Sequence, residues 1–324
     1  MIISKTPFRI PVAGGGTDLD FYYKKRGGIF YSLAINQYVY VFLKERNLDK
    51  NYLIQTTSTQ FAKQLNKIDH SLIKETLRYF KITEPVHVGV YATVPTLTGL
   101  GSSSSLVVGL INCIIKLKKL KISDKKIILT AYKIEREICG YNGGWQDQII
   151  SQSGGFVKVN ISKKGKLNIK KLKENKSLKS MVNNNFMLVY TRHKRDSSKI
   201  IQSQKKNLKS VIKQYDLIKP LTDEIPKILK RKNTNLMAEV FKRHWLIKKK
   251  LSNQMSNKQI NRLYDFLIRK CNFLGGKLIG AGGGGFFLMI TQNKKKTIKL
   301  LKKNSINYLN FKIENKGSRV IKDV

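Results

Sequence analysis

Acidic residues are scarce in this chain: 20 Asp and Glu stand against 63 Lys and Arg in 324 residues, a formal net charge of +43. Such an excess ordinarily points to nucleic acid, because clustered cations release counterions from a phosphate backbone. Here the lysines are scattered, with short runs only, such as Lys248 to Lys250 and Lys294 to Lys296, and the chain is rich in Asn and Ile, as an A/T-rich codon bias would make it. No specific nucleic-acid partner is expected, although an acidic small substrate would gain from the charge. Cysteine is nearly absent. Cys113, Cys139 and Cys271 are far apart and never in CxxC or CxxH spacing, which excludes a disulfide framework and a zinc site and leaves reduced, mostly buried thiols. The four histidines, His70, His87, His193 and His244, form no metal-ligand spacing. No apolar run is long enough to span a bilayer, and Lys5, Pro7 and Arg9 follow Met1 where a signal peptide would place its apolar core. A soluble cytoplasmic protein with no membrane partner is the expectation.

What is present is a 41% hydrophobic chain, long enough for two globular domains, and one run that stands out. Pro95-Thr96-Leu97-Thr98-Gly99-Leu100-Gly101-Ser102-Ser103-Ser104-Ser105 leads straight into the apolar stretch Leu106 to Leu110. Two glycines allow a tight turn, four hydroxyls supply donors, and a helix beginning there would aim its free N–H groups at an anion. No lysine lies between Pro95 and Leu110, so the run is not a GxxxxGK[ST] loop, and the third glycine of a dinucleotide fingerprint is also missing. Alternation over Val86 to Val94 makes it a strand-to-helix connection. It reads as a phosphate cradle.

The same reading gives strands over Ile2 to Ala13 and Tyr38 to Leu43, helices over Ser71 to Phe80 and from about Ser104 to Lys118, and a further helix N-capped by Ser123 with Ile127, Ala131, Ile134 and Ile138 on one face. Gly140, Gly143 and Gly144 separate it from a helix opened by Trp145 to Gln148, which Gly154 and Gly155 end before a strand over Phe156 to Ile161. The Lys-, Asn- and Ser-rich stretch from Ser162 to Asn185 marks a junction, giving domains at 1–180 and 181–324. A strand over Phe186 to Tyr190, helical stretches through roughly 196 to 273, and Gly280 to Gly285 before a strand over Phe286 to Thr291 complete the pattern. That glycine run satisfies GxGxxG but precedes a strand instead of opening a helix, so its use is to let another backbone, or the cradle itself, approach closely.

Three segments in this order, a strand ending in a Gly-Thr-Asp turn, the PxxxGLGSSS cradle and a late GAGGGG loop, resemble the GHMP kinase superfamily of galactokinase, homoserine kinase, mevalonate kinase and phosphomevalonate kinase over almost the whole chain. Within it, Thr6 to Asp18, Pro95 to Ser105, Gly144-Trp145-Gln146-Asp147-Gln148 and Gly276 to Phe286 are most similar to the heptose 7-phosphate kinases. The resemblance implies an α+β fold of two domains, the first like ribosomal protein S5 domain 2, with the active site between them, in a monomer or homodimer. It implies transfer of the γ-phosphoryl of ATP, with Mg²⁺, to the anomeric (C1) hydroxyl of D-glycero-D-manno-heptose 7-phosphate, giving the 1,7-bisphosphate for nucleotide-activated heptose and surface glycans. The alternative is another sugar 1-kinase of the superfamily, acting on fucose, galactose or an unphosphorylated heptose. Where galactokinases set bulky Glu and His side chains against the sugar, this chain has Gly15 and Gly16, which implies a wider pocket for a larger or already phosphorylated sugar.

The resemblance also assigns residues. Thr98, Gly99, Leu100, Gly101, Ser102, Ser103 and Ser104 would hold the ATP phosphates, Ser103 and Glu135 the metal, and Asp147, twelve residues after Glu135, would be the general base assisted by Arg9. Gly15, Gly16, Thr17, Asp18, Gly282 and Gly283 would contact the sugar and Arg195 its 7-phosphate, with Arg192 and Lys194 as alternates. Read from the residues alone, Glu135 in Lys133-Ile134-Glu135-Arg136-Glu137 is a charge on a solvated helix face, Asp147 a helix N-terminal carboxylate, Arg9 a surface charge on an edge strand, Asp18 an Asx-turn closure and Lys277 a solvated lysine.

Overall fold

Two sheets, each backed by helices, organise the chain. In the computed structural model, which describes residues 1–173, 176–193 and 197–323, the first sheet is laid down by β1 (Ile2–Ala13), β2 (Gly28–Glu45), β3 (Tyr52–Gln55), β4 (Thr59–Ala62), β5 (Val86–Ala92), β6 (Phe156–Ile161) and β7 (Leu167–Leu172). Between these strands lie α1 (Asp20–Arg26), α2 (Ser71–Tyr79), α3 (Ser102–Leu117), α4 (Asp124–Tyr132) and α5 (Gln146–Ser153). The second sheet consists of β8 (Phe186–Tyr190), β9 (Phe273–Leu278), β10 (Phe286–Thr291) and β11 (Tyr308–Leu309), in the order β11-β8-β10-β9 and antiparallel throughout. Its helices are α6 (Lys176–Asn185), α7 (Ser197–Lys205), α8 (Leu208–Ile218), α9 (Leu221–Arg231), α10 (Thr234–Lys248), α11 (Lys258–Lys270) and α12 (Lys294–Lys303). β12 (Arg319–Asp323) then returns to the first sheet and pairs with β1.

β2 is the organising strand. Its 18 residues pair with β1 along one edge, while on the other its first half takes β6 and its second half takes β5. Only the second half alternates in the sequence; residues around Phe30 to Ile35 are buried on both faces and read as a continuous apolar run. Under this sheet α3 is apolar nearly all round, because Leu106, Val107, Val108, Leu110, Ile111 and Ile114 are all buried against strand residues such as Phe8, Ile10 and Val41. Each such side chain contributes about 1.5–3 kcal/mol. That burial fixes where the start of α3 can sit.

The helix N-capped by Ser123, whose Oγ accepts from Lys126 N at 3.4 Å, does not keep one continuous apolar stripe. At Lys133–Ile138 it widens into a π-helical turn, closed by Cys139 N donating to Ile134 O at 2.9 Å. Ile127, Ala131 and Ile134 stay buried, but the wider turn shifts the helical phase and Ile138 is exposed; Glu135, one turn after buried Ala131, lies on the inner side.

The stretch from Ser162 to Asn185 holds β7 and α6. Past the second sheet the chain is stitched back to the first by Tyr38 OH donating to Glu314 Oε2 at 2.6 Å and by the Thr6 and Ser318 hydroxyls 2.7 Å apart. We propose that the division near residue 180 holds with this C-terminal return belonging to the first unit. Cys113 and Cys271 are buried and Cys139 half-buried, all as free thiols. No described helix is long and apolar enough to cross a membrane.

Candidate active site

Arg9, midway along β1 and 5% exposed, ties three elements together. Its backbone N–H donates to Leu100 O at 3.2 Å, its Nη1 to Gly99 O at 2.6 Å, and its Nε to Asp147 Oδ1 at 2.6 Å. The cradle and the first turn of α5 are thereby held side by side. Trp145 positions that turn by stacking on Tyr132, rings 3.5 Å apart and 7° from parallel. Asp18 positions it from the other side, its Oδ2 accepting from Gln146 N at 3.0 Å and its Oδ1 from Gly16 N at 3.2 Å. A Cβ at Gly144 would lie 2.1 Å from Asp18 Oδ2, so this contact needs glycine. Burial raises the Asp18 carboxyl above the ordinary carboxylate value; the Gln146 N–H opposes that shift and the charge of Asp147 adds to it. Asp18 thus braces the Gly15-Gly16 turn, and it also lines the cleft with lone pairs to spare.

The cradle enters α3 through Gly101, in the left-handed region at φ 86°. The first intrahelical bond is Ser105 N to Gly101 O at 3.0 Å, which leaves the N–H groups of Ser102, Ser103 and Ser104 without intrahelical partners at the positive end of the helix dipole. Gly99, Gly101, Ser102 and Ser103 line the cleft. Behind them Glu135 is fully buried, which replaces the solvated-face reading. Its Oε1 accepts from Ser103 Oγ at 2.6 Å, its Oε2 from Ser104 Oγ at 2.5 Å and from Gln148 Nε2 at 2.6 Å, and Arg136 Nη1 lies 3.3 Å from Oε1. A hydroxyl and a carboxylate beside an anion cradle are donor types that Mg²⁺ takes, so Ser103 and Glu135 would hold it.

The cleft has a volume of about 600 Å³. Its second wall is built by His244 and Lys248 of α10, Lys277 and Leu278 of β9, and the loop residues Gly280 and Ala281. The late glycine loop closes on the cradle. At Gly285 φ is 90° and an added Cβ would sit 2.1 Å from the Thr98 carbonyl oxygen, so the two backbones touch. Gly285→Ala is expected to lower stability by about 2 kcal/mol or more and to weaken ATP binding, measured by urea unfolding and calorimetry; an unchanged midpoint would show that the contact is dispensable.

A backbone that joins two sheets through a glycine-rich contact, with an anion-binding helix start beside a guanidinium–carboxylate pair, suits phosphoryl transfer, which depends on positioning and charge stabilisation. Residues 68–155, which hold the cradle, Glu135 and Asp147, match the GHMP kinases N terminal domain. Over 294 residues, 87% of this chain and 86% of the relative, the sequence is 28% identical to a D-glycero-alpha-D-manno-heptose 7-phosphate kinase of Campylobacter jejuni. Residues 68–155 thus match a GHMP kinase N-terminal domain, and the chain as a whole is similar to the GHMP kinase superfamily. It is a phosphotransferase with an alcohol group as acceptor, similar to the heptose phosphate kinases. The two-domain α+β fold is shared with a D-glycero-D-manno-heptose 1-phosphate kinase from Bacteriodes thetaiotaomicron, at TM-score 0.83 and 22% identity over all of both chains. A Streptococcus pneumoniae phosphomevalonate kinase, in complex with phosphomevalonate and AMPPNP, matches at TM-score 0.76 and 18% identity over 97% of this chain and all of its own.

Several residues named from the sequence stand behind the cleft rather than on it. Thr17 is fully buried, its hydroxyl donating to Gly14 O at 2.8 Å and Ile29 O at 2.7 Å. Thr98 bonds Pro95 O, Leu100 is buried, and Gly282 and Gly283 pack on Met255 and Ile200. Arg192 is exposed and donates to Ser305 O at 2.7 Å, away from the cleft. Arg195 and Lys194 lie outside the described residues. Gly15 and Gly16 both line the cleft, but the expected widening is not uniform: a Cβ at Gly16, where φ is 93°, would fall 2.4 Å from the ring of Tyr215, which takes up that space.

Other cleft residues escaped the sequence reading. Arg136, Tyr141, Asn142, Tyr215, His244 and Lys248 all face it. The one available signal was the spacing of His244 and Lys248, four apart on one face of α10. Lys277, read as solvated, is 1% exposed; its Nζ donates to Val12 O at 2.7 Å and lies 4.8 Å from the Phe241 ring centre.

Burial pushes the Lys277 ammonium down to about 7 from 10.5. Between those values the unfolded chain holds a proton that the folded chain has released, so stability rises with pH across that window and is lost as pH falls toward 7. The urea midpoint of the wild type is therefore expected to climb relative to that of Lys277→Met from pH 7 to about 10. Parallel profiles would mean that Lys277 titrates as an ordinary lysine.

Proposed function

We propose that this protein transfers the γ-phosphoryl of ATP to the anomeric C1 hydroxyl of D-glycero-D-manno-heptose 7-phosphate. The product is the 1,7-bisphosphate, a precursor of nucleotide-activated heptose for surface glycans, made in the cytoplasm by a monomer or homodimer. The observation that carries this reading is the Arg9–Asp147 pair at 2.6 Å, held by Gly99 O beside the free N–H groups of α3. Asp147 accepts the proton of the C1 hydroxyl as its oxygen bonds to the γ-phosphorus and the bond to ADP breaks. Arg9 keeps the carboxylate oriented and balances the charge that develops there. The N–H groups and hydroxyls of Ser102 and Ser103, with the Gly99 to Gly101 backbone, receive the phosphates. Ser103 and Glu135 hold Mg²⁺, which neutralises phosphate charge when bound. Asp18, Gly15 and Gly16 face the sugar, while Thr17, Gly282 and Gly283 support the turns around it.

A second reading is favoured by the Bacteriodes thetaiotaomicron relative, which is called a heptose 1-phosphate kinase: the acceptor would then carry its phosphate at C1 and be phosphorylated elsewhere. Phosphorus NMR of the product formed from heptose 7-phosphate separates the two. A new resonance coupled to the anomeric proton is expected. Conversion of heptose 1-phosphate with no reaction of the 7-phosphate would establish the second reading instead.

A further inference from the structure

The cleft holds more basic side chains than phosphoryl transfer uses. His244, Lys248 and Lys277 converge on one wall, with exposures of 3%, 7% and 1%; Lys248 Nζ already donates to Leu278 O and Gly280 O, so it adds charge there rather than free donors. Both ring nitrogens of His244 are buried with no hydrogen-bond partner, a state that folded interiors avoid unless a ligand completes it. Burial, reinforced by the charges of Lys277 and Lys248, holds this imidazole neutral, so one nitrogen is a donor. Lys277 spends one N–H on Val12 O, and its protonated form has two more for a ligand.

β1 measures how far this wall is from the chemistry. Arg9, which grips Asp147, precedes Val12 by three residues, a span of roughly 10 Å along a strand. Pro11, Gly15 and Gly16 line the cleft with them. An acceptor whose reacting hydroxyl meets Asp147 therefore has room to extend toward Lys277 and His244 at its other end.

We infer that the Lys277–His244–Lys248 wall is the subsite for a phosphate monoester already present on the acceptor sugar, at the end remote from the hydroxyl that reacts. This rests on the reading of the acceptor as a sugar phosphate. A phosphate dianion meets the free donors of Lys277 and the unpartnered N–H of His244, and it restores the charge that burial withholds from the lysine. The cluster comes from α10 and β9, in a different part of the sequence from Arg195, and does not depend on it.

The test compares D-glycero-D-manno-heptose 7-phosphate with unphosphorylated D-glycero-D-manno-heptose, by calorimetry in the presence of AMPPNP and by steady-state kinetics, for wild type, Lys277→Met and His244→Phe. His244→Phe replaces two unpartnered nitrogens by an apolar ring, so its urea midpoint should match or exceed that of wild type, which separates lost binding from lost folding. The wild type should prefer the phosphorylated sugar. Each variant should lose roughly 10- to 100-fold in affinity for it, with affinity for the unphosphorylated sugar and KM for ATP unchanged. If wild type discriminates and both variants keep that discrimination, the subsite assignment is wrong and the sugar-phosphate reading stands. If wild type shows no preference, the sugar-phosphate reading falls and the assignment falls with it.

Discussion

Asp147→Asn should lower kcat by about 10²- to 10⁴-fold, the range for a lost general base, while leaving ATP affinity nearly unchanged. Asparagine keeps the shape and an oxygen for Arg9 Nε, now 2.6 Å from Asp147 Oδ1, so Arg9 can still reach Gly99 O and the cradle stays in place. What is lost is the basicity that takes the acceptor proton and the charge that the guanidinium balances. The pair is mostly buried, with side-chain exposures of 6% and 19%, so losing its charge-assisted hydrogen bond should also cost about 1.5–3 kcal/mol of stability. Steady-state kinetics with calorimetry of ATP binding checks both halves. Turnover within a few-fold of wild type would remove Asp147 from the role of base.

Glu135→Gln should be nearly as severe, for a different reason. Four groups converge on this buried carboxylate: the hydroxyls of Ser103 and Ser104, the amide of Gln148 and the guanidinium of Arg136. Removing its charge leaves charge-assisted hydrogen bonds replaced by neutral ones, at a cost of about 1.5–3 kcal/mol in stability. It also removes the negative ligand proposed for the metal. Because metal stabilisation of transferred charge is worth several kcal/mol, kcat should fall about 100-fold or more, with half-saturation by Mg²⁺ moved to higher concentration. A structural role alone predicts the lower urea midpoint without the shift in Mg²⁺ dependence. A magnesium titration at saturating ATP, run beside urea unfolding, decides between them.

Much of this architecture was legible because local signals agreed with the fold. β1, α3, β6, β8 and β10 begin and end close to where alternation, capping and glycine placed them. The expected close approach of the glycine run to the cradle is the Gly285–Thr98 contact. Illegible elements were those fixed by tertiary pairing: β12 exists because β1 has a free edge, β7 because β6 does, and the first half of β2 because it is covered on both faces. The inward turn of Glu135 was hidden for a different reason. A charge run is assigned to solvent by its composition, but Glu135 follows buried Ala131 by one turn and buried Ile128 by two, which sets it on the inner side against Ser103 and Ser104. The buried His244–Lys248–Lys277 wall could not be read at all, because its members come from α10 and β9, separated by α11, and they meet only where α10 packs on β9.

The measurement that bears most directly on the proposed activity is ADP release by purified protein with Mg²⁺ and ATP across a panel of D-glycero-D-manno-heptose 7-phosphate, galactose, fucose and mevalonate. A kcat/KM for heptose 7-phosphate at least about 100-fold above every other acceptor is predicted, as expected of a site built to hold a polar group the others lack. A rate with heptose 7-phosphate no higher than with galactose, fucose or mevalonate would contradict it.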